Sequence, residues 1–281
     1  ESHGLFTAVD RGVSHGADAS RGANRPGTAG KRGRERAVNV AVRGDDGTVA
    51  AAVGVAGASL VAEDEDRPTD VVVAVGDDAV RSVTTDPPDA PVLPVTPAGG
   101  RHRVPRPELA GALAALVAGD GRRESHPVLG VRRDGAVVAR ALRDVALVTD
   151  APASISEFAV VAGGTRLDTV RADGMVVATA LGSDGYAAAA GGAVLEAGAG
   201  VAVVPISPFS TAPDHRVVDP EAGLALSVER EGAVALFADG VRRDTVDAGA
   251  DLRIERVGSV DLVAADVGRG PDGSSVGADT G

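Results

Sequence analysis

At 281 residues with 44% hydrophobic content, the chain can bury one large core or two modest ones. Its formal charge of −12 makes nucleic acid and anionic membrane poor partners, and no stretch is long and apolar enough to span a bilayer as a helix. The lack of cysteine excludes disulfides, thiolate metal sites and cysteine nucleophiles, and it fits a cytoplasmic protein.

Lys31 is the single lysine, so nearly all positive charge is arginine. An acidic, lysine-poor, Ala/Val/Asp-rich chain fits a salt-loving cytoplasm, where ionic strength screens self-repulsion. A GC-rich genome also favours Ala, Gly, Arg and Asp, but does not account for the net charge. Residues 1–36 are rich in Gly, Ser, Arg and Ala, without helical or strand period or an apolar secretory core, and are expected to be disordered. His3 and His15 fall there and read as solvated.

From residue 37 the pattern is that of an α/β layer. Residues 37–42 read as a strand, 47–55 as a short helix and 58–62 as a strand, followed by an acidic loop over 63–70. Val71-Val72-Val73-Ala74-Val75 is apolar on both faces, as a buried parallel strand requires. It runs into Gly76-Asp77-Asp78-Ala79. Residues 91–95 read as a short strand interrupted by Pro94. Alternating strands and short helices predict an open parallel sheet with its crevice at the strand C-termini.

The Pro- and Gly-rich passage 87–107 is the expected boundary. Pro107 then opens a helix over 108–117, stopped by Gly119. After Gly121 the period becomes that of short strands with Gly turns at Asp134-Gly135 and Gly163-Gly164, which predicts a β-sandwich. The expected organisation is a disordered leader over 1–36 and a small open parallel α/β domain over 37–100. A larger β-sandwich over 101–258 follows, then a segment over 259–268 returning to the first domain and a disordered tail over 269–281.

The most informative stretch is residues 171–192, RADGMVVATALGSDGYAAAAGG. It reads as a turn, a buried strand, a tight glycine loop and the start of a short helix, whose free N–H groups favour an anionic or polar ligand. Tyr186, the one tyrosine, either stacks on a flat ligand or caps a core of small residues.

Asp173, Gly174, Thr179, Gly182, Ser183, Tyr186, Ala190, Gly191 and Gly192 match, in order and spacing, the C-terminal signature of the NAD kinases, which this stretch resembles. Ala180, Leu181, Asp184, Gly185 and Ala193 depart from it. Pro205-Ile206-Ser207-Pro208-Phe209-Ser210 resembles a second family segment, with Phe209 in place of histidine. Gly76-Asp77-Asp78-Ala79 then falls at the family's GGDGT landmark, and Arg143-Asp144 at its Asn-Glu pair.

The resemblance implies ATP-dependent phosphorylation of NAD at the adenosine 2′-hydroxyl, giving NADP, with Mg2+ accompanying the donor, in a homo-oligomer. Asp77 would activate or orient the hydroxyl. Gly76 would admit phosphates, and Asp144, Asp173, Gly174, Thr179, Ser183, Asp184 and Tyr186 would shape the dinucleotide pocket. Asp78 places a side chain and a like charge where phosphate should approach. A bound Mg2+ would make Asp77 and Asp78 metal ligands; otherwise they form a plain acidic turn. Arg143 either pairs with a pyrophosphate or is an exposed strand residue.

The eroded GGDGT landmark and the missing asparagine motivate a rival reading, a catalytically inactive paralogue that binds a dinucleotide. A related lipid or carbohydrate kinase is a third. ATP against polyphosphate, and NAD against NADH, stay open. No G-x-x-x-x-G-K-[ST] loop occurs, and no G-x-G-x-x-G fingerprint follows the first strand. Ser207, Ser210, Asp214 and His215 lack the nucleophile elbow of a hydrolase triad. The histidines are too scattered in sequence to predict a metal site. Asp46-Gly47, Asp120-Gly121 and Asp239-Gly240 read as plain turns.

Overall fold

The computed structural model describes residues 37–265 apart from 45–46, 63–66, 98–100, 151–154, 211–213 and 231. These residues belong to one compact unit, Ala37–Gly281. The expected leader and tail lie outside the described residues.

The first region comprises β1 (Asn39–Arg43), α1 (Gly47–Val55), β2 (Ser59–Leu60), β3 (Val71–Val75), α2 (Gly76–Ser82), β4 (Val92–Thr96), β5 (Val104–Pro105) and α3 (Leu109–Ala118). Its strands are parallel in the order β2-β1-β3-β4. All five residues of β3 are buried, as its unbroken apolar run requires. A short turn carrying Pro107 leads into α3. The helix ends at Gly119, whose left-handed φ of 88° caps it.

The chain continues as β6 (Gly121–Arg133), β7 (Ala136–Ala141), β8 (Asp144–Thr149), β9 (Ser156–Ala162), β10 (Thr165–Ala172) and β11 (Gly174–Ala178). Then come β12 (Val201–Ile206), β13 (Arg216–Val218), β14 (Leu224–Val228), β15 (Val234–Ala238), β16 (Val241–Val246) and β17 (Asp251–Ala265). Six of these strands form an antiparallel sheet ordered β13-β12-β11-β8-β15-β16. The hairpins β6–β7, β9–β10 and β15–β16 turn at Asp134-Gly135, Gly163-Gly164 and Asp239-Gly240, with both residues at positive φ in each case. That is the turn whose twist matches the flanking strands.

One strand joins the two regions. The first part of β17 pairs with β14 and β6, whereas its later part pairs with β6 and, at Leu262, in parallel with Val92 of β4. A bulge between Arg256 and Gly258 separates the two parts, and Val257 there packs over Gly130, where no Cβ would fit. β4 itself runs unbroken through Pro94, against the expected interruption. Pairing with β17 is recorded at Val92 and pairing with β5 begins at Val95, so Pro94 stands between two partial neighbours. A residue without an N–H is tolerated at such a place.

Of four buried apolar clusters among the described residues, three bear on the arrangement of the two regions. Val40, Val73, Leu93 and Val263 pack against Val49 and Val53 of α1 and Leu109 and Leu113 of α3. Leu129, Leu147, Phe158, Met175, Leu226 and Ile254 fill the sandwich. Between them Ala41, Val72, Ala74 and Leu262 pack with Ala79 and Val80 of α2 and with Leu142 and Leu181 of the second region. Leu262 is wholly buried at this joint. Leu262→Ala should lower the unfolding free energy by about 2–5 kcal/mol, seen as a lower urea midpoint; a shift under about 1 kcal/mol would contradict this packing.

Candidate functional site

The site is assembled from three turns that meet at the third core. The first is the start of α2, which follows β3 without an intervening loop. Gly76 makes that junction at φ 84°, a left-handed conformation in which other residues are strained. Asp77 and Asp78 occupy the first helical turn. Asp78 is fully exposed and pairs with Arg81 one turn on. Its charge therefore faces an arginine and solvent, which softens the repulsion expected beside a phosphate. Asp77 is exposed on its own side and lines a narrow crevice together with Arg81, Pro94, Thr96, Arg103, Leu142, Arg143, Leu181 and Asp239.

The second turn, residues 142–144, is held by Asp239. This carboxylate is 3% exposed and accepts the N–H groups of Leu142 (2.9 Å), Arg143 (2.7 Å) and Asp144 (3.2 Å). The Asp239 N–H donates to the Asp144 carbonyl at 2.9 Å, and Arg143 Nη2 donates to the Asp239 carbonyl at 3.2 Å. What read as one more Asp-Gly turn is the anchor of the segment carrying Arg143 and Asp144. An Asp-Gly dipeptide occurs so often in this chain that its burial could not be read from sequence.

The third turn is the signature stretch. Thr179 is wholly buried, and its hydroxyl donates to the carbonyls of Leu142 (2.8 Å) and Arg143 (3.1 Å). Gly182 lies so close to the Arg143 carbonyl that a Cβ would collide with it. The Ser183 hydroxyl donates to the Ala180 carbonyl and accepts the Leu195 N–H, both at 2.9 Å. Gly174 faces the Leu147 carbonyl with no room for a side chain. The Thr179 and Ser183 hydroxyls thus bond to backbone groups inside the loop, and Gly174 packs against the backbone of β8. The expected helix start is a short helical turn, Ser183–Ala187, kinked at Gly185, so it offers no ordered row of N–H groups. Asp184 faces the first region instead, accepting the Arg101 N–H at 3.4 Å.

Asp144, Asp173 and Tyr186 share one electrostatic neighbourhood. Burial, then Asp239, push the Asp144 carboxyl up to about 6, against the pull of Arg143. Burial, then Asp173 and Asp144, raise the Tyr186 phenol. Tyr186 is 42% exposed, which places its ring at the surface beside these carboxylates. The crevice holding Asp77 is closed to about 10 Å3, room for about one water molecule. A larger cavity of about 730 Å3 lies elsewhere, lined by Arg43, Arg67, Asp86 and neighbours. Arg143 adjoins both groups, lining the crevice of Asp77 and acting on Asp144.

A parallel α/β layer carrying an aspartate turn, docked on an antiparallel sandwich whose loops bring further carboxylates to the junction, is the fold of the NAD kinases. The structure is similar to that of an NAD kinase from Archaeoglobus fulgidus in complex with ATP, with a TM-score of 0.60 at 22% identity over 81% of this chain and 94% of that one. It is also similar to yeast NADH kinase complexed with NADH, with a TM-score of 0.63 at 17% identity over 81% and 83%. Residues 142–260 match the family model of the ATP-NAD kinase C-terminal domain. A curated NAD kinase of Methanopyrus kandleri is 28% identical over 63% of this chain and 67% of its own length. One from Methanosarcina barkeri is 36% identical over 36% and 38%. The sequence likeness to the NAD kinases is carried by the second region, and the structural likeness shows their fold.

Two measurements check the site. Asp239→Ala leaves three backbone N–H groups without their acceptor and should cost about 2–4 kcal/mol of stability; an unchanged melting curve would contradict its anchoring role. Asp144 holds its proton more tightly folded than unfolded. Its contribution is therefore present below about pH 4 and lost as pH rises through about 6. Asp144→Asn should remove up to ~3 kcal/mol of that pH dependence, read by urea denaturation across the range.

Proposed function

We propose that the protein is an NAD kinase that transfers the γ-phosphoryl group of ATP to the adenosine 2′-hydroxyl of NAD, giving NADP. What supports this reading is that Asp77 and Arg143 line one crevice, that Arg143 acts on Asp144, and that Tyr186 lies in the field of Asp173 and Asp144. Asp77 accepts the 2′-hydroxyl proton, or orients that hydroxyl, as its oxygen bonds to the γ-phosphorus. The bond from that phosphorus to the bridging oxygen breaks, and ADP leaves. Asp144 and Asp173 receive ribose hydroxyls, and the exposed ring of Tyr186 offers a face for stacking. Arg143, which replaces the family's asparagine, presents a cation to a pyrophosphate.

The residues fit Mg2+ in the manner of an ion carried by the nucleotide. Such an ion keeps most of its ligands from phosphate and water and takes one or two carboxylates from the protein. Asp77 is placed to be one, while Asp78 is engaged by Arg81. Bound there, the ion would neutralise charge on the transferring phosphate. The narrowness of the crevice implies that the two regions part to admit the substrates. The family resemblance further supports a cytoplasmic homo-oligomer. None of the described helices is long and apolar enough to cross a membrane, a statement about helices alone.

The second reading, a dinucleotide-binding paralogue without turnover, draws support from Asp78 and Arg143, the two departures at the landmarks. Incubation with ATP, Mg2+ and NAD in concentrated KCl should give NADP. Asp77→Asn should lower kcat by about 10²–10⁴-fold while NAD still binds. NAD binding without NADP from the unaltered protein would favour the second reading, and binding of neither nucleotide would remove both.

A further inference from the structure

His102, Glu124 and His126 meet although neither the family match nor the proposed reaction uses them. The chain leaves His102 in the crossover, makes α3 and returns in β6. There Glu124 and His126, two residues apart on a strand, point to one side. The separation in sequence that hid these histidines disappears once β6 lies beside the crossover. The two rings stand edge to face with centroids 4.8 Å apart. His102 Nε2 lies 3.0 Å from Glu124 Oε2. One ligating atom from each of the three residues lies within 4.8 Å of the others.

The cluster is buried. His126 is 1% exposed, and the side chains of His102 and Glu124 are 4% and 17% exposed. Yet His126 Nε2 and His102 Nδ1 are buried atoms without a hydrogen-bond partner. Buried polar atoms are seldom left in that state, and two in one place call for an explanation. His102 also holds a left-handed backbone, φ 55°, uncommon for a residue with a side chain. An imidazole nitrogen that carries no proton presents a lone pair to a metal ion. Arg122 Nη2, 3.4 Å from Glu124 Oε2, is largely exposed and free to swing away.

We propose that His102, Glu124 and His126 form a binding site for a divalent transition metal ion, Zn2+ foremost, that ties the crossover to β6. Two imidazoles and one carboxylate suit zinc, whereas Mg2+ and Ca2+ take oxygen ligands. A tetrahedral zinc holds such ligand atoms ~3.3 Å apart and leaves its fourth position to water. The His102–Glu124 pair already stands at 3.0 Å, and the widest separation, 4.8 Å, closes on binding. The site also has a place in the architecture. Arg101, on one side of His102, donates to the Leu195 carbonyl (2.7 Å) and Glu196 (2.9 Å), and its N–H reaches Asp184. Arg103, on the other side, lines the crevice of Asp77. A metal at His102 fixes both arginines at once.

The test uses the full chain, stripped by a chelator and titrated with Zn2+ in competition with a chromophoric chelator. One Zn2+ per chain is expected, with a raised melting temperature, no competition from millimolar Mg2+, and a tetrahedral visible spectrum when Co2+ is substituted. His126→Asn and His102→Asn should each weaken binding more than about a hundredfold, beyond the loss seen for outer-sphere partners. Glu124→Gln preserves shape should either histidine variant fail to fold, and it should weaken binding likewise. Absence of stoichiometric uptake by the unaltered chain, or uptake unchanged in the variants, would overturn the proposal.

Discussion

The placement of every candidate residue depends on Leu142 and Leu181 packing against α2 and the back of the parallel sheet. Both are essentially inaccessible to solvent, and each lies close in sequence to a candidate site residue. Leu142 precedes Arg143 and Asp144, and Leu181 precedes the loop that ends in Tyr186. Apolar burial carries no directional information of its own. Direction is supplied by the polar network around it. The Asp239 carboxylate fixes the backbone of one leucine's turn, and the Thr179 hydroxyl binds that turn to the strand leading into the other.

Departures from the family's landmarks gain a physical reading in this setting. Leu181, in place of a hydroxyl residue, is buried in the cluster that contains Ala41, Val72, Ala79 and Leu142. Asp78, in place of glycine, is turned outward and held by Arg81. Arg143 keeps its backbone bonded to Asp239 and retains a cation at the crevice, where the family's asparagine would be neutral. These substitutions redistribute charge around Asp77 without removing the turn that presents it.

Much of the architecture was legible in the residues. The unbroken run of β3, the Gly turns of the hairpins and the spacing of the signature stretch all have local causes, and the chain obeys them. Asp239, Thr179 and Ser183 were not legible in their true roles, because burial is a tertiary property. A short polar residue beside glycine looks the same whether it faces solvent or closes a hydrogen-bond network. Pro94 was misread as an interruption because its neighbours on one side are supplied by β5 and by a strand near the far end of the described chain. The histidines escaped notice for the same reason, since strand pairing rather than sequence spacing brings them together.

The sharing of β17 between the two halves bears on how the protein is made. On a ribosome, β1 to β4 emerge early, but the segment that pairs with Val92 is synthesised only after the whole sandwich has been threaded out. The nascent parallel sheet must wait with one flank of β4 incomplete. Contacts so distant along the chain slow folding and leave unpaired strand edges exposed meanwhile. During vectorial synthesis the pairing of β4 is therefore completed only when β17 emerges.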